Sequence, residues 1–264
     1  MGNLCIVKLG GSIITDKKAG RPVLLARRVK EIACELAQVI AKRKPPRLIL
    51  LYGAGSYGHP VAHRYKLLDQ PLSKYTLIGV GYTTASVREL GTRLAEILLD
   101  AGIPVVPLQT SSFVSMRKGR LHFANISTIE NILEHGGVPL LGGDVVFAGR
   151  RTAIASADAL AVELSRKFKK AHLYFATDVD GVYANFPPQN NERPLRQLDR
   201  SAVKDLLQTQ RSKITRSDIT GAMPGKLREL LRARNTNATI FNGSKQNSLS
   251  DALFGKDKGT KVSL

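Results

Sequence analysis

A lysine in this sequence stands where an apolar run gives way to glycine, and a histidine closes a second glycine-rich turn. Lys8 ends the run Leu4-Cys5-Ile6-Val7 and leads into Leu9-Gly10-Gly11-Ser12. A strand entering a core seldom finishes on a cation without an anion to meet it. Gly10 and Gly11 let the backbone approach such an anion, and N–H groups at a following helix start can cradle a phosphate. A second turn, Gly53-Ala54-Gly55-Ser56-Tyr57-Gly58-His59, is dense in glycine and closes on a histidine. It lacks the Gly-Lys-Ser/Thr ending of a P-loop. Its Gly53, Gly55 and Gly58 keep a GxGxxG spacing, but no acidic residue follows where a dinucleotide's ribose would need one. Three more turns follow: Gly142-Gly143-Asp144, then Thr177-Asp178-Val179-Asp180-Gly181-Val182-Tyr183, then Asp218-Ile219-Thr220-Gly221-Ala222-Met223-Pro224-Gly225-Lys226. Each alone also reads as plain structure: a tight turn, an Asp-Gly turn, or a helix start with proline in its first turn.

The elements around these turns alternate. Strands are predicted at Leu4 to Lys8, Arg47 to Tyr52, Pro104 to Leu108, Val138 to Leu141, Ala171 to Ala176, Ala238 to Asn242 and Thr260 to Ser263. Apolar residues at helical spacing predict helices over Pro22 to Arg43, Thr76 to Asp100, Ser127 to His135, Ser156 to Phe168, Pro224 to Arg234 and Ser248 to Phe254. Ser127 and Glu130 have capping-box spacing. Val145 to Ala155 reads as a hairpin turning at Gly149, and Phe186 to Arg200 as a mobile surface loop. Strands separated by helices imply right-handed crossovers, hence a mainly parallel central sheet in a three-layer αβα sandwich. In such a sheet ligands bind at the carboxyl ends of the strands, where these turns lie. The expectation is one domain, with an N-terminal lobe over about 1–170 and a C-terminal lobe over about 171–264.

The chain has 264 residues, 43% of them apolar, enough for a large core built without tryptophan. No run of eighteen apolar residues exists, so no membrane span is expected, and the N-terminus carries no signal-peptide pattern. The two cysteines, Cys5 and Cys34, make neither a metal site nor a disulfide framework and suit a reducing compartment, so a cytoplasmic protein is expected. Lys and Arg outnumber Asp and Glu 40 to 21, a formal charge of +19. The basic residues are scattered along the sequence without aromatic interleaving or zinc-finger spacing. They read as a solvated basic surface rather than a nucleic-acid site.

The ordered set KLGGS, GAGSYGH, GGD, TDVDGV and DITGAMPGK resembles the amino acid kinase superfamily, over roughly residues 4 to 263. His59, together with Thr15-Asp16-Lys17 and Ser111-Ser112-Phe113, resembles its isopentenyl phosphate kinases, and more distantly the fosfomycin kinases. The resemblance implies ATP-dependent phosphorylation of isopentenyl phosphate in isoprenoid biosynthesis by the mevalonate route, with Mg2+ carried on ATP, in a homodimer. Another small phosphate or phosphonate, or a basic nucleic-acid-binding or regulatory role on this fold, are the alternatives. It further implies that Lys8, Lys17 and Lys226 neutralise the ATP phosphates, that Gly10, Gly11 and Ser12 contact them through the backbone, and that Asp144 positions the lysines. Asp178, Tyr183 and Gly221 would lie at the nucleotide; Gly53, Ala54, Gly55 and His59 would hold the acceptor phosphate. Ala54 and Ala157 stand where the family has glycine. The acceptor's hydrocarbon tail would lie against Val80, Thr83, Thr84, Val87, Val145 and Ile154.

Overall fold

The first strand, β1 (Leu4–Leu9), is buried along its whole length. Its residues alternate between two cores: Leu4 and Ile6 belong to one apolar cluster, Cys5, Val7 and Leu9 to the other. A strand covered on both faces reads as a continuous apolar run rather than an alternating one. The computed structural model describes residues 3–68, 70–209, 223–256 and 259–264.

After β1 come a short helix α1 (Gly11–Ile14), α2 (Ala26–Ile40), β2 (Arg47–Tyr52) and α3 (Gly55–Arg64). The long α4 (Lys74–Asp100) then leads to β3 (Val105–Leu108) and a hairpin of β4 (Val114–Arg117) and β5 (Arg120–Phe123). Next are α5 (Ser127–Glu134), β6 (Val138–Gly142), a second hairpin of β7 (Asp144–Ala148) and β8 (Arg151–Ala155), α6 (Ala157–Lys167) and β9 (His172–Thr177). The chain closes with β10 (Gln197–Asp199), α7 (Arg200–Thr209), α8 (Met223–Leu230), β11 (Asn237–Asn242), α9 (Ser248–Leu253) and β12 (Thr260–Ser263).

Eight strands form one sheet in the order β10-β12-β11-β9-β1-β2-β6-β3. All its pairs are parallel except β11 with β12. The core containing α6 and α8 packs on one face and the core containing α2, α4 and α9 on the other. This is the mainly parallel αβα sandwich expected from the alternation. The β7–β8 hairpin turns at Gly149, at φ +64, as the sequence predicts.

Several boundaries differ, each for a local reason. The segment Pro22 to Leu25 is not helical: Leu24 bridges Thr15, and Leu25 N donates to Ile14 O, so α2 begins at Ala26. The capping box at Ser127 does not form. Asn125 Oδ1 accepts from Ser127 N instead, because the chain turns one residue earlier. The capping box that does form joins Ser73 and Thr76 at the start of α4. The glycine-rich segment after β2 is largely helix, so His59 sits in the second turn of α3 rather than in a loop. The segment from Phe186 to Arg200 is pinned. Leu195 bridges Val182, Glu192 accepts from Asn185 N and Gln189 N, and Arg200 donates to Leu231 O and Ala233 O. Its end forms β10 and the first residue of α7.

Candidate active site

Lys8 is the next-to-last residue of β1, and side-chain alternation points it to the α6–α8 face of the sheet. There it meets Asp158, from the first turn of α6, and Lys226, from the first turn of α8. Lys226 Nζ lies 2.6 Å from Asp158 Oδ1, and Lys8 Nζ lies 3.1 Å from the same oxygen. All three are buried. Lys226 Nζ also rests 4.7 Å from the centre of the Phe175 ring in β9. One carboxylate thus holds two ammonium groups at the carboxyl end of the sheet.

Burial is the largest influence on Asp158 and on Lys226. It pushes the Asp158 carboxyl up, but Lys226 and then Lys8 reverse that and hold it well below the usual carboxylate range. For Lys226, burial lowers the pKa, Asp158 raises it and Lys8 lowers it again, leaving it at about 8. The cluster therefore carries two cations against one anion. Its excess positive charge favours a further anion in the adjoining space.

The two glycine-rich turns meet beside it. Gly10 N donates to Ala176 O, and Gly53 N donates to Leu9 O, so both turns are tied to β1 and its neighbours. A Cβ on Gly11 would lie 2.7 Å from Gly55 Cα, and one on Gly53 would lie 2.8 Å from Gly11 N. Backbone touches backbone here, and no larger residue fits. Gly55 adopts φ +50, with Thr15 Oγ1 filling the space a side chain would take. Thr15 Oγ1 donates to Gly11 O and accepts from Ser56 N, locking the two turns together. Gly58 leaves room for Ala54, whose Cβ would lie 2.5 Å from a Cβ at position 58.

These turns and the lysine cluster line one cavity of about 1220 Å3. Lys8, Gly10, Gly11, Ser12 and Lys17 form one part of its wall, and Gly53, Ala54, Gly55 and His59 another. Asp178, Lys226, Asp144 and Ala157 also face it. Thr83 and Val87 of α4, with Val145 and Ile154 of the hairpin, supply its apolar side. His59 opens onto the cavity, and loss of water among the walls is the largest cause that lowers its pKa, followed by Lys17 and then Lys8. The imidazole is thereby kept neutral near pH 7.

Other predicted residues lie elsewhere. Val80 and Tyr183 do not line the cavity. Thr84 lines a second cavity of about 220 Å3 with Tyr52, Arg88 and Asp144. Gly221 falls outside the described residues. Asp144 does not hold the lysines. Its Oδ1 accepts from Val145 N at 2.8 Å and Thr84 Oγ1 at 3.4 Å, and its Oδ2 from Ser111 N at 3.1 Å. The carboxylate that organises the two lysines is Asp158, which sequence reasoning passed over. Its signal was faint: an acidic residue in a helix's first turn is commonly there for the helix dipole. Among the described residues, no group of three or more His, Cys, Asp or Glu side chains converges on a metal position.

A family model described as the amino acid kinase family matches residues 3–242. Isopentenyl phosphate kinase of Methanothermobacter thermautotrophicus is 33% identical over 269 residues, covering 98% of each chain. That of Methanocaldococcus jannaschii is 30% identical over 265 residues, again covering 98% of each. An X-ray structure of isopentenyl phosphate kinase superposes with a TM-score of 0.83 at 30% identity, covering 98% of this chain and all of that one.

Proposed function

This chain belongs to the amino acid kinase family, among its isopentenyl phosphate kinases, and we propose that its cavity transfers the γ-phosphoryl group of ATP to isopentenyl phosphate, giving isopentenyl diphosphate. The observation that carries this reading is the shared wall. Phosphate-sized glycine turns, two buried lysines and an apolar pocket face the same cavity. Such a cavity suits one substrate made of phosphates and another that joins a phosphate to a hydrocarbon tail.

Phosphoryl transfer needs alignment and charge stabilisation more than covalent help. The acceptor phosphate has a second pKa of about 6, so an oxygen able to attack is already anionic at neutral pH. No strong general base is required. His59, kept neutral, is read as a hydrogen-bond donor that orients the attacking phosphate from Gly53, Ala54 and Gly55. Lys8 and Lys226 are read as the groups that offset charge on the β- and γ-phosphates, with Asp158 as the residue that positions both. Lys17 is exposed on the loop after α1 and lines the same cavity; it would complete the cation set against the γ-phosphate. Gly10, Gly11 and Ser12 would donate backbone hydrogen bonds to the donor phosphates, with Asp178 towards the nucleotide.

Magnesium is read as entering on ATP, where it would draw charge from the phosphate oxygens. Asp158 is committed to the lysines, and Asp144 to Thr84, Ser111 and Val145. The donor set thus fits a cation carried by the nucleotide, with Asp178 the cavity carboxylate left to meet it. We place the reaction in the cytoplasm on a mevalonate-type route to isoprenoids; the free thiols of Cys5 and Cys34 are in keeping with a reducing compartment. A homodimer is favoured by the exposed apolar Val106 on the edge strand β3 and Leu99 on α4, which packs against β3.

The test is a coupled ADP-release assay across isopentenyl phosphate, dimethylallyl phosphate, fosfomycin and carboxylate acceptors. Turnover with isopentenyl phosphate at a kcat/KM well above every other class is expected. A preference for fosfomycin or a carboxylate would overturn the assignment of the acceptor.

A further inference from the structure

The scattered basic residues of the sequence converge in the fold. Strands β2, β1, β9 and β11 are neighbours in the sheet and run parallel. Their starts are nearly level: Leu4 pairs with Arg47, Cys5 with His172, and Ala238 with Leu173. The segments that deliver the chain to β2, β9 and β11 therefore lie side by side along the sheet's amino-terminal edge, over three strand spacings or about 15 Å. Arg43 and Lys44 precede β2, Lys169 and Lys170 precede β9, and Arg232 and Arg234 precede β11; all six are exposed. The β4–β5 turn joins them, because Arg232 Nη1 donates to Gly119 O at 3.2 Å. It brings the exposed Lys118 to the same face.

Two observations separate this face from a merely basic protein. First, the charge is uneven. At the β3 and β6 end of the same edge, the preceding segments end in Asp100 and Glu134 instead. Second, the only ion pairs recorded among these segments in the described residues are Arg232 with Glu229 and Arg166 with Glu163, so most of the charge is not neutralised.

We infer that this edge is a docking face for the phosphate backbone of double-stranded nucleic acid, bound without sequence readout. Clustered, weakly paired cations are the electrostatic footprint of such binding. Single strands are held largely by stacking on aromatic side chains, and bilayers by apolar insertion. Among the described residues, the exposed tyrosines Tyr75 and Tyr82 lie on the first half of α4, which is at the other end of the sheet, and the exposed aromatic beside this face, Phe254, has Lys42 Nζ over its ring at 5.1 Å rather than an open face for a base. The face lies one strand length, about 20 Å, from the candidate active site, so duplex binding and catalysis are separable.

The experiment is fluorescence anisotropy with a 20-base-pair DNA duplex, read from 50 to 200 mM KCl on the full chain. With about five phosphate contacts, affinity should fall about 500-fold across that range. The quadruple variant Lys169→Glu, Lys170→Glu, Arg232→Glu, Arg234→Glu should abolish binding at 100 mM while leaving ADP release with isopentenyl phosphate unchanged. The control Lys30→Glu with Lys74→Glu takes charge from exposed positions near the other end of the sheet. It should change affinity less than threefold, whereas Lys169→Glu with Lys170→Glu alone should change it more than tenfold. Equal losses in these two double variants would show attraction to net charge rather than to this face and would overturn the proposal. So would absence of duplex binding at 50 mM, or tighter binding to phosphatidylglycerol vesicles than to the duplex.

Discussion

Asp158→Asn is the substitution that most directly tests the cluster. Asparagine keeps the shape of the side chain and removes its charge, leaving Lys8 and Lys226, 3.1 and 2.6 Å from the lost carboxylate oxygen, facing each other in a buried site. Removing one partner of a buried ion pair costs about 3–5 kcal/mol when the other charge stays. Lys226 has a way out, since its pKa already stands at about 8 and Asp158 is what holds it up. In the variant it drops further and the lysine enters neutral solution partly deprotonated. We expect a stability loss of about 2–3 kcal/mol, a fall in melting temperature of about 5–10 °C for a chain of this size. We also expect kcat/KM to fall about 30- to 1000-fold, equivalent to 2–4 kcal/mol of transition-state stabilisation. The sign of the pH effect is distinctive. Lys226 is protonated below its pKa, so wild-type kcat/KM should decline above about pH 8, and the variant's decline should begin at lower pH. Asp158 has its folded pKa depressed below 3.8, so its contribution to stability is present above that value and lost in acid; the variant should lose that acid-side slope. ADP release from pH 6 to 10, with thermal melts from pH 3 to 10, reads all of this. An Asp158→Asn enzyme with wild-type kcat/KM and an unshifted alkaline limb would refute the view that this carboxylate positions the lysines.

His59→Ala should lower kcat/KM for isopentenyl phosphate by about 100-fold and leave ATP affinity, measured by calorimetry, within twofold; unchanged acceptor kinetics would remove His59 from the site. The α4 wall of the cavity is built from the modest side chains of Thr83 and Val87, so geranyl phosphate should be accepted beside the five-carbon phosphates, each added buried methylene contributing about 0.8 kcal/mol. Val87→Phe should restrict the enzyme to five-carbon tails and Val80→Phe, outside the cavity, should not; wild-type rejection of geranyl phosphate would show that the tail lies elsewhere. Gly11→Ala places a methyl 2.7 Å from Gly55 Cα, and forcing the two turns apart should lower the unfolding free energy measured by urea titration by about 1–3 kcal/mol and cut turnover with it; a fully stable, active variant would show that the turns need not touch.

What the sequence disclosed and what it withheld divide along a physical line. The strands were legible because a buried parallel strand is a short apolar run, and Leu4 to Lys8 or Arg47 to Tyr52 admits little else. Lys8 and the glycine turns stood out because a cation ending an apolar run, or glycines packed at a strand end, is chemically odd in one dimension, whereas Lys226 was marked by the resemblance of its motif DITGAMPGK. Asp158 is not odd in one dimension. Beside Ser156, which caps α6 through Ala159 N, it looks like a helix-start acid, and only the approach of α6 and α8 turns it into the partner of two lysines. Asp144 is the opposite case: Gly142-Gly143-Asp144 looks like a ligand turn, yet its carboxylate braces α4 and the segment after β3. The tail pocket divides in the same way, since helical spacing cannot tell Thr83 and Val87, which face the cavity, from Val80 and Thr84, which do not. The basic edge was the least legible of all. Arg43, Lys170 and Arg234 lie more than sixty residues apart in the chain, and only the parallel crossovers between β2, β9 and β11 make them neighbours. Chemistry that sits within one turn can be read from a sequence, whereas chemistry assembled across crossovers requires the order of the strands.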